Sequence, residues 1–150
     1  MVRFTRGVLK VLRKADMDLS IVLTGDREIR RYNRKYLNHD RPTDVLAFGR
    51  GETSFPSRSN FLGDIMISVD QAKAYARRFG TAWRDAACSS GGRPLGPPAP
   101  RGWRGELELY IVHGILHLLG HDDHAFKDRK RMRKKESQVL KRVRSLRLEI

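Results

Sequence analysis

Apolar positions along the chain fall into alternating short runs at strand spacing and longer runs at helical spacing. Val8, Leu9 and Leu12 share a helical face and predict a first helix over Met1 to Lys14. Asp18 to Thr24, DLSIVLT, sets Leu19, Ile21 and Leu23 against Ser20, Val22 and Thr24, and apolar residues on both faces predict a buried strand. Gly25 closes it, and Asp26 is placed to cap a helix running to Leu37 with Ile29, Tyr32 and Tyr36 inward. The turn His39-Asp40-Arg41-Pro42-Thr43-Asp44 leads into a short strand, Val45 to Phe48, and the Gly, Ser and Pro of residues 49–60 predict a surface loop. Phe61 to Val69 reads as a third strand. Gly63 inside it marks a close approach by another backbone or a ligand, and Asp64 suits either a water-facing edge or a site. Asp70 is placed to cap a helix to Phe79 with Ala72, Tyr75 and Ala76 inward.

The periodicity then fails. Residues 86–105, AACSSGGRPLGPPAPRGWRG, hold no apolar repeat and are dense in Gly and Pro, which predicts a mobile insertion within a single domain spanning 1–150. Trp83-Arg84 and Trp103-Arg104 repeat at its ends, so excising the piece between them joins two helical segments; a proline-rich docking motif is the competing reading. Leu107, Ile111, Ile115 and Leu118 restore helical spacing, and Gly120 stands where a helix needs a left-handed C-terminal residue. A last helix, Ala125 to Leu146, offers Met132, Val139, Leu140 and Val143 as its buried side. The longest apolar run, Tyr110 to Leu119, is interrupted by His113 and His117, so no membrane span is expected.

Charge changes the picture. With 31 Lys and Arg against 17 Asp and Glu, the net charge is +14, which in a domain of this size points to a polyanionic partner. The cations concentrate on two helices: Arg31, Arg34 and Lys35 on the second, and Lys130, Arg133 and Lys134 on the last, are the candidate RNA-binding residues. Such contacts position an RNA without reading its sequence. The basic stretch Met1 to Lys14 superficially resembles a targeting peptide, but its apolar face runs straight into the first strand and reads as an ordinary helix. A lone cysteine, Cys88, forms no internal disulfide and fits a reducing compartment.

The chemistry centres on ELELYIVHGILHLLGHDDH, residues 106–124. His113 and His117 stand four apart, which puts both imidazoles on one helical face as two ligands of a divalent metal require. One histidine on an apolar helix is usually a packed core residue. Two at this spacing, followed by a glycine and a His/Asp cluster, point to a metal, with His121, Asp122, Asp123 or His124 completing the site from the loop. A zinc peptidase would carry a glutamate directly after the first histidine as general base; here that residue is Gly114.

Three motifs stand in order: Asp40-Arg41-Pro42-Thr43-Asp44-Val45-Leu46, Leu62-Gly63-Asp64-Ile65, and His113-Gly114-Ile115-Leu116-His117-Leu118-Leu119-Gly120-His121-Asp122. Together they resemble the YbeY family of metal-dependent endoribonucleases over nearly the whole chain outside the insertion. The resemblance implies an α+β fold, a small mixed β-sheet packed with helices and a zinc-binding histidine helix in the core. It also implies one Zn2+ per chain and a cytoplasmic, zinc-dependent, single-strand-specific endoribonuclease. That enzyme would act in ribosomal RNA processing and small-subunit maturation, with ribosomal RNA and the small ribosomal subunit as partners.

The departures are specific. The family's third ligand, a histidine, falls here on Asp123, with His124 one step later; ungapped register favours Asp123 and ligand preference favours His124. The family's arginine after the second-helix tyrosine is Leu37, so Arg34 or Arg41 would have to reach that space, Arg41 being the catalytic candidate. The family's Ser-Phe-Pro reads Ala47-Phe48-Gly49.

As an enzyme, the chain would use His113 and His117 through a metal-bound water whose pKa falls towards about 7 when three protein ligands leave one position open. The alternative is a non-catalytic basic RNA-binding ribosome-assembly factor with a structural zinc, for which a fourth ligand from Asp122 or His121 would be expected.

Overall fold

A computed structural model describes residues 1–50, 60–79 and 102–148. Among the described residues the elements run α1 (Val2–Val11), β1 (Asp18–Thr24), α2 (Asp26–Leu37), β2 (Val45–Gly49), β3 (Phe61–Ser68), α3 (Val69–Phe79), α4 (Gly102–Leu118) and α5 (Phe126–Leu148). The strands form one mixed sheet in the order β1-β3-β2. β1 runs parallel to β3 from Leu19↔Gly63 to Thr24↔Ser68, and β2 antiparallel to it from Val45↔Ile67 to Gly49↔Gly63. A mixed sheet with helices packed on it is the α+β class that the motifs imply.

The central strand is β3, and its apolar residues serve two cores. Ile65 and Ile67 face a large cluster built with Phe4 and Val8 of α1, Ile111 and Ile115 of α4, and Met132 and Leu140 of α5. Met66 faces the other way, into a small cluster with Leu46 of β2 and Ile29 of α2. α2 therefore covers one face of the sheet while α1, α4 and α5 cover the other. α4 is buried around its circumference, at Leu107, Tyr110, Ile111, Val112, Ile115 and Leu116, and is the hub of the domain.

Four readings of the sequence change at this level. β1 is an edge strand among the described residues, with Val22 and Leu23 nearly half exposed, because β3 takes the doubly buried place that DLSIVLT was expected to fill. On α2 the inward position beside Ile29 belongs to Asn33, whose Nδ2 donates to the Arg41 carbonyl at 2.8 Å, and Tyr36 is 46% exposed. On α3, Ala72 is buried and Tyr75 is exposed. The caps are exchanged: Gly25 is the N-cap of α2, the Asp26 N–H donates to Asp70 Oδ2 at 3.0 Å, and Ser68 Oγ accepts the Gln71 N–H at the start of α3. Asp26 in turn accepts from Ser68 Oγ at 2.6 Å and Gln71 Nε2 at 2.8 Å, so the two helix starts are tied together across β3.

Gly102 to Gly105, read as the end of the insertion, instead open α4. Residues 86–101 lie outside the described residues, as do residues 51–59 of the expected loop and Trp83-Arg84. No described helix is long and apolar enough to cross a membrane.

Candidate metal centre

α4 brings the two histidines together because nothing on it interrupts the helix between them, and Gly114 lets the helix lie close to the sheet. A Cβ added at Gly114 would meet Ile65 Cγ2 at 2.8 Å and Cδ1 at 2.9 Å. The position after His113 is therefore pressed against the core, where a peptidase's glutamate would have no room. After Leu118 the backbone closes with the Gly120 N–H on the His117 carbonyl and the His121 N–H on the Leu116 carbonyl. Gly120 itself adopts φ +85°, the left-handed conformation that its lack of a Cβ makes accessible. Asp122 then shapes the loop, its Oδ1 accepting the N–H groups of Asp123 at 2.7 Å and His124 at 3.1 Å.

This folding returns Asp123 to the helix. The Nε2 atoms of His113 and His117 lie 2.9 Å apart, and the Asp123 carboxylate stands 3.7 Å from each of them, through Oδ2 and Oδ1 respectively. Ligands held about 2.1 Å from a tetrahedral zinc are about 3.4 Å from one another, so these three donors have the spacing and the chemistry to hold a divalent ion. His124 does not join them: its side chain is 90% exposed and its Nε2 lies 3.6 Å from Asp122 Oδ1. His121 and Asp122 are exposed as well. Among the described residues the group that could hold a metal around the two histidines is His113, His117 and Asp123.

Two carboxylates that the motif did not single out complete the surroundings. Glu136 of α5, buried at 6% exposure, meets His113 Nδ1 at 2.6 Å. Burial alone would push the His113 pKa down, but the hydrogen bond and charge of Glu136, joined by Asp44 and Asp123, raise it above its ordinary value. His117, with burial and the neighbouring His113 against it, is lowered despite the opposing pull of Asp123. Glu106 and Tyr110 lie seven and three residues before His113 on the same stripe of α4. Burial, reinforced by Asp44 just before β2, pushes the Glu106 carboxyl up to about 7 and the Tyr110 hydroxyl upward too. A carboxylate on an apolar stripe was the available signal for both glutamates. Glu136 falls four after Met132 and three before Val139, and Glu106 falls four before Tyr110.

The candidate RNA-binding side chains are all exposed but do not form one patch. Arg31, Arg34 and Lys35 lie on α2, across the sheet from Lys130, Arg133 and Lys134 on α5. Arg34 stands 3.9 Å from Asp40, which Arg30 engages through two hydrogen bonds of 2.9 and 3.0 Å. Arg41 is exposed, and among the described residues its side chain has no hydrogen bond or ion pair to the histidine centre. Leu37 is 53% exposed at the end of α2.

A family model described as Endoribonuclease YbeY matches residues 2–89 and 101–144; the break falls within the stretch 86–105. Curated proteins of that name resemble the chain over most of its length. One from an Anaeromyxobacter species is 37% identical over 87% of this chain and 57% of its own. One from Myxococcus xanthus is 36% identical over 91% and 40%, and one from Aquifex aeolicus is 34% identical over 90% and 76%. The chain thus spans about half the length of the first two. Among solved structures, the solution structure of a Thermotoga maritima protein aligns with a TM-score of 0.57 at 25% identity, covering 95% of this chain and 79% of that one.

Proposed function

The chain belongs to the YbeY endoribonuclease family, and from that premise we propose that it is a zinc-dependent, single-strand-specific endoribonuclease acting in ribosomal RNA processing and small-subunit maturation in the cytoplasm. The observation that carries this reading is the number of donors. Three protein groups converge on one point, while Asp122 is turned into its own loop and His121 faces solvent, the open arrangement of a catalytic rather than a structural site.

In this reading His113, His117 and Asp123 hold the zinc. When bound, the ion supplies Lewis acidity towards a phosphodiester oxygen and makes water more acidic. Glu136 fixes the proton of the His113 ring on Nδ1 and so keeps Nε2 free as a donor. Arg31, Arg34 and Lys35 on one face, and Lys130, Arg133 and Lys134 on the other, hold backbone phosphates of ribosomal RNA on the small subunit. Leu37, in place of the family's arginine, is what favours the second reading, a non-catalytic RNA-binding assembly factor.

The test is metal analysis of the protein beside a His117→Ala variant, with both incubated on ribosomal RNA containing single-stranded segments. We expect about one zinc per chain and cleavage from the first, and neither from the second. Zinc binding without cleavage selects the assembly factor, and cleavage persisting in the zinc-free variant rejects the hydrolytic role of this centre.

A further inference from the structure

We propose that Tyr32, Tyr36 and Phe48 form a stacking platform for the unpaired bases of single-stranded nucleic acid, with Lys35 and Arg31 as its phosphate clamps. Helical spacing places Tyr36 on the inward stripe of α2, yet the ring stands nearly half exposed. The reason is the size of the core beneath it. Ile29, Leu46 and Met66 fill the space between α2 and the sheet, Tyr32 and Phe48 close over them, and Tyr36 is left outside. The rings of Tyr32 and Tyr36 are nearly parallel, 17° apart with centroids at 6.0 Å, and Phe48 meets Tyr36 edge-on at 5.1 Å. The result is a continuous aromatic surface, prolonged at the helix end by exposed Leu37.

Its rim is cationic. Lys35 Nζ lies 4.9 Å from the Tyr36 ring centroid and the Arg31 guanidinium 5.7 Å from that of Tyr32. A base displacing Lys35 from the ring would carry its phosphate to the same ammonium group. Flat rings edged by mobile cations suit a ligand that offers a π-face and a phosphate every few ångströms, which is the chemistry of a single strand; in a duplex the base faces are already stacked. The backbone of the strand that carries Phe48 also reaches the histidine helix, at Gly63. The Phe48 carbonyl and the Leu118 side chain both crowd Gly63, which a Cβ could not share with them, and Leu118 directly follows His117.

This inference rests on the single-strand RNA reading above, and the experiment separates the two. Binding of the full chain to a fluorescent twelve-nucleotide deoxythymidine oligomer is compared by anisotropy with binding to an abasic oligomer of equal length, which keeps the phosphates and lacks the bases. We expect the base-bearing strand to bind more tightly. Tyr36→Leu, which keeps an apolar contact with Phe48, is expected to lose about tenfold on the base-bearing strand and nothing on the abasic one, while Tyr36→Phe retains the preference. Lys35→Gln should weaken both and flatten the salt dependence, which Tyr36→Leu leaves unchanged. Equal binding of the two strands by wild type, or an undiminished preference in Tyr36→Leu, overturns the platform while leaving phosphate binding intact. Failure to bind either strand or a twelve-nucleotide uridine RNA oligomer overturns the RNA reading itself.

Discussion

The carboxylate of Glu136 meets Nδ1 of His113 at 2.6 Å, so the ring's other nitrogen is turned towards His117 and Asp123. A buried carboxylate in this position orients the imidazole and raises its basicity, and losing such a partner typically weakens metal binding about 10- to 100-fold. Glu136→Ala should therefore lower zinc affinity by that factor in chelator competition, with His113 and His117 both still present. Glu136→Gln, which keeps an oxygen acceptor and loses the charge, should fall between. Wild-type affinity in Glu136→Ala would mean that the ring is held by its packing alone.

The loop makes the two third-ligand candidates unequal. Asp123 is 35% exposed and faces both histidines, while His124 projects into solvent beside Asp122. Asp123→Ala should abolish stoichiometric zinc binding, and His124→Ala should retain about one zinc per chain by elemental analysis. Asp123→His restores the donor that the family resemblance implies and should keep the metal. Loss of zinc from His124→Ala with retention in Asp123→Ala would reassign the ligand.

These residues were unequally legible in the sequence for a physical reason. The pairing of His113 and His117 is set by the rise of one helical turn, so local spacing sufficed, and the register after Gly120 pointed to Asp123. Glu136 is hidden directly after the run Arg131 to Lys135, where charge suggests a solvated face, and only its place among Met132, Val139 and Leu140 betrays burial. The assignment of β1 failed because apolar residues on both faces describe a strand's composition, whereas central or edge position depends on which strands pair. Tyr36 was misplaced likewise: its stripe is correct, but the core under α2 ends before reaching it.

Glu106 provides a pH prediction. Its folded pKa is raised to about 7 from an ordinary 4.5, chiefly by burial and then by Asp44. Between those values the folded chain binds more protons at this site than the unfolded chain. The group's contribution to stability therefore falls as pH rises from 4.5 through about 7, and levels off above that. Glu106→Gln stays neutral throughout, so its melting temperature relative to wild type should climb between about pH 5 and pH 8. Parallel melting curves for the two proteins across that range would show that Glu106 is not a proton holder.

The contact between Gly114 and Ile65 sets how close the histidine helix lies to the sheet. A methyl at Gly114 would fall 2.8 Å from Ile65 Cγ2 and 2.9 Å from its Cδ1, with Ile65 fully buried and unable to swing into solvent. Overpacking of this kind costs about 1–3 kcal/mol. Replacing glycine by alanine within a helix returns about 1 kcal/mol. Packing should win, leaving Gly114→Ala less stable by about 1 kcal/mol in urea unfolding, and Gly114→Val, branched at Cβ, less stable still. Ile65→Val removes the Cδ1 contact, so the double variant should be more stable than the two single effects added together, by at least about 0.5 kcal/mol. Because His113 is the neighbouring residue, zinc affinity should drop in Gly114→Ala and recover partly in the double variant. Strict additivity, or a Gly114→Ala protein as stable as wild type, would mean that α4 can lift from β3 without strain and that the glycine is not what seats the histidines.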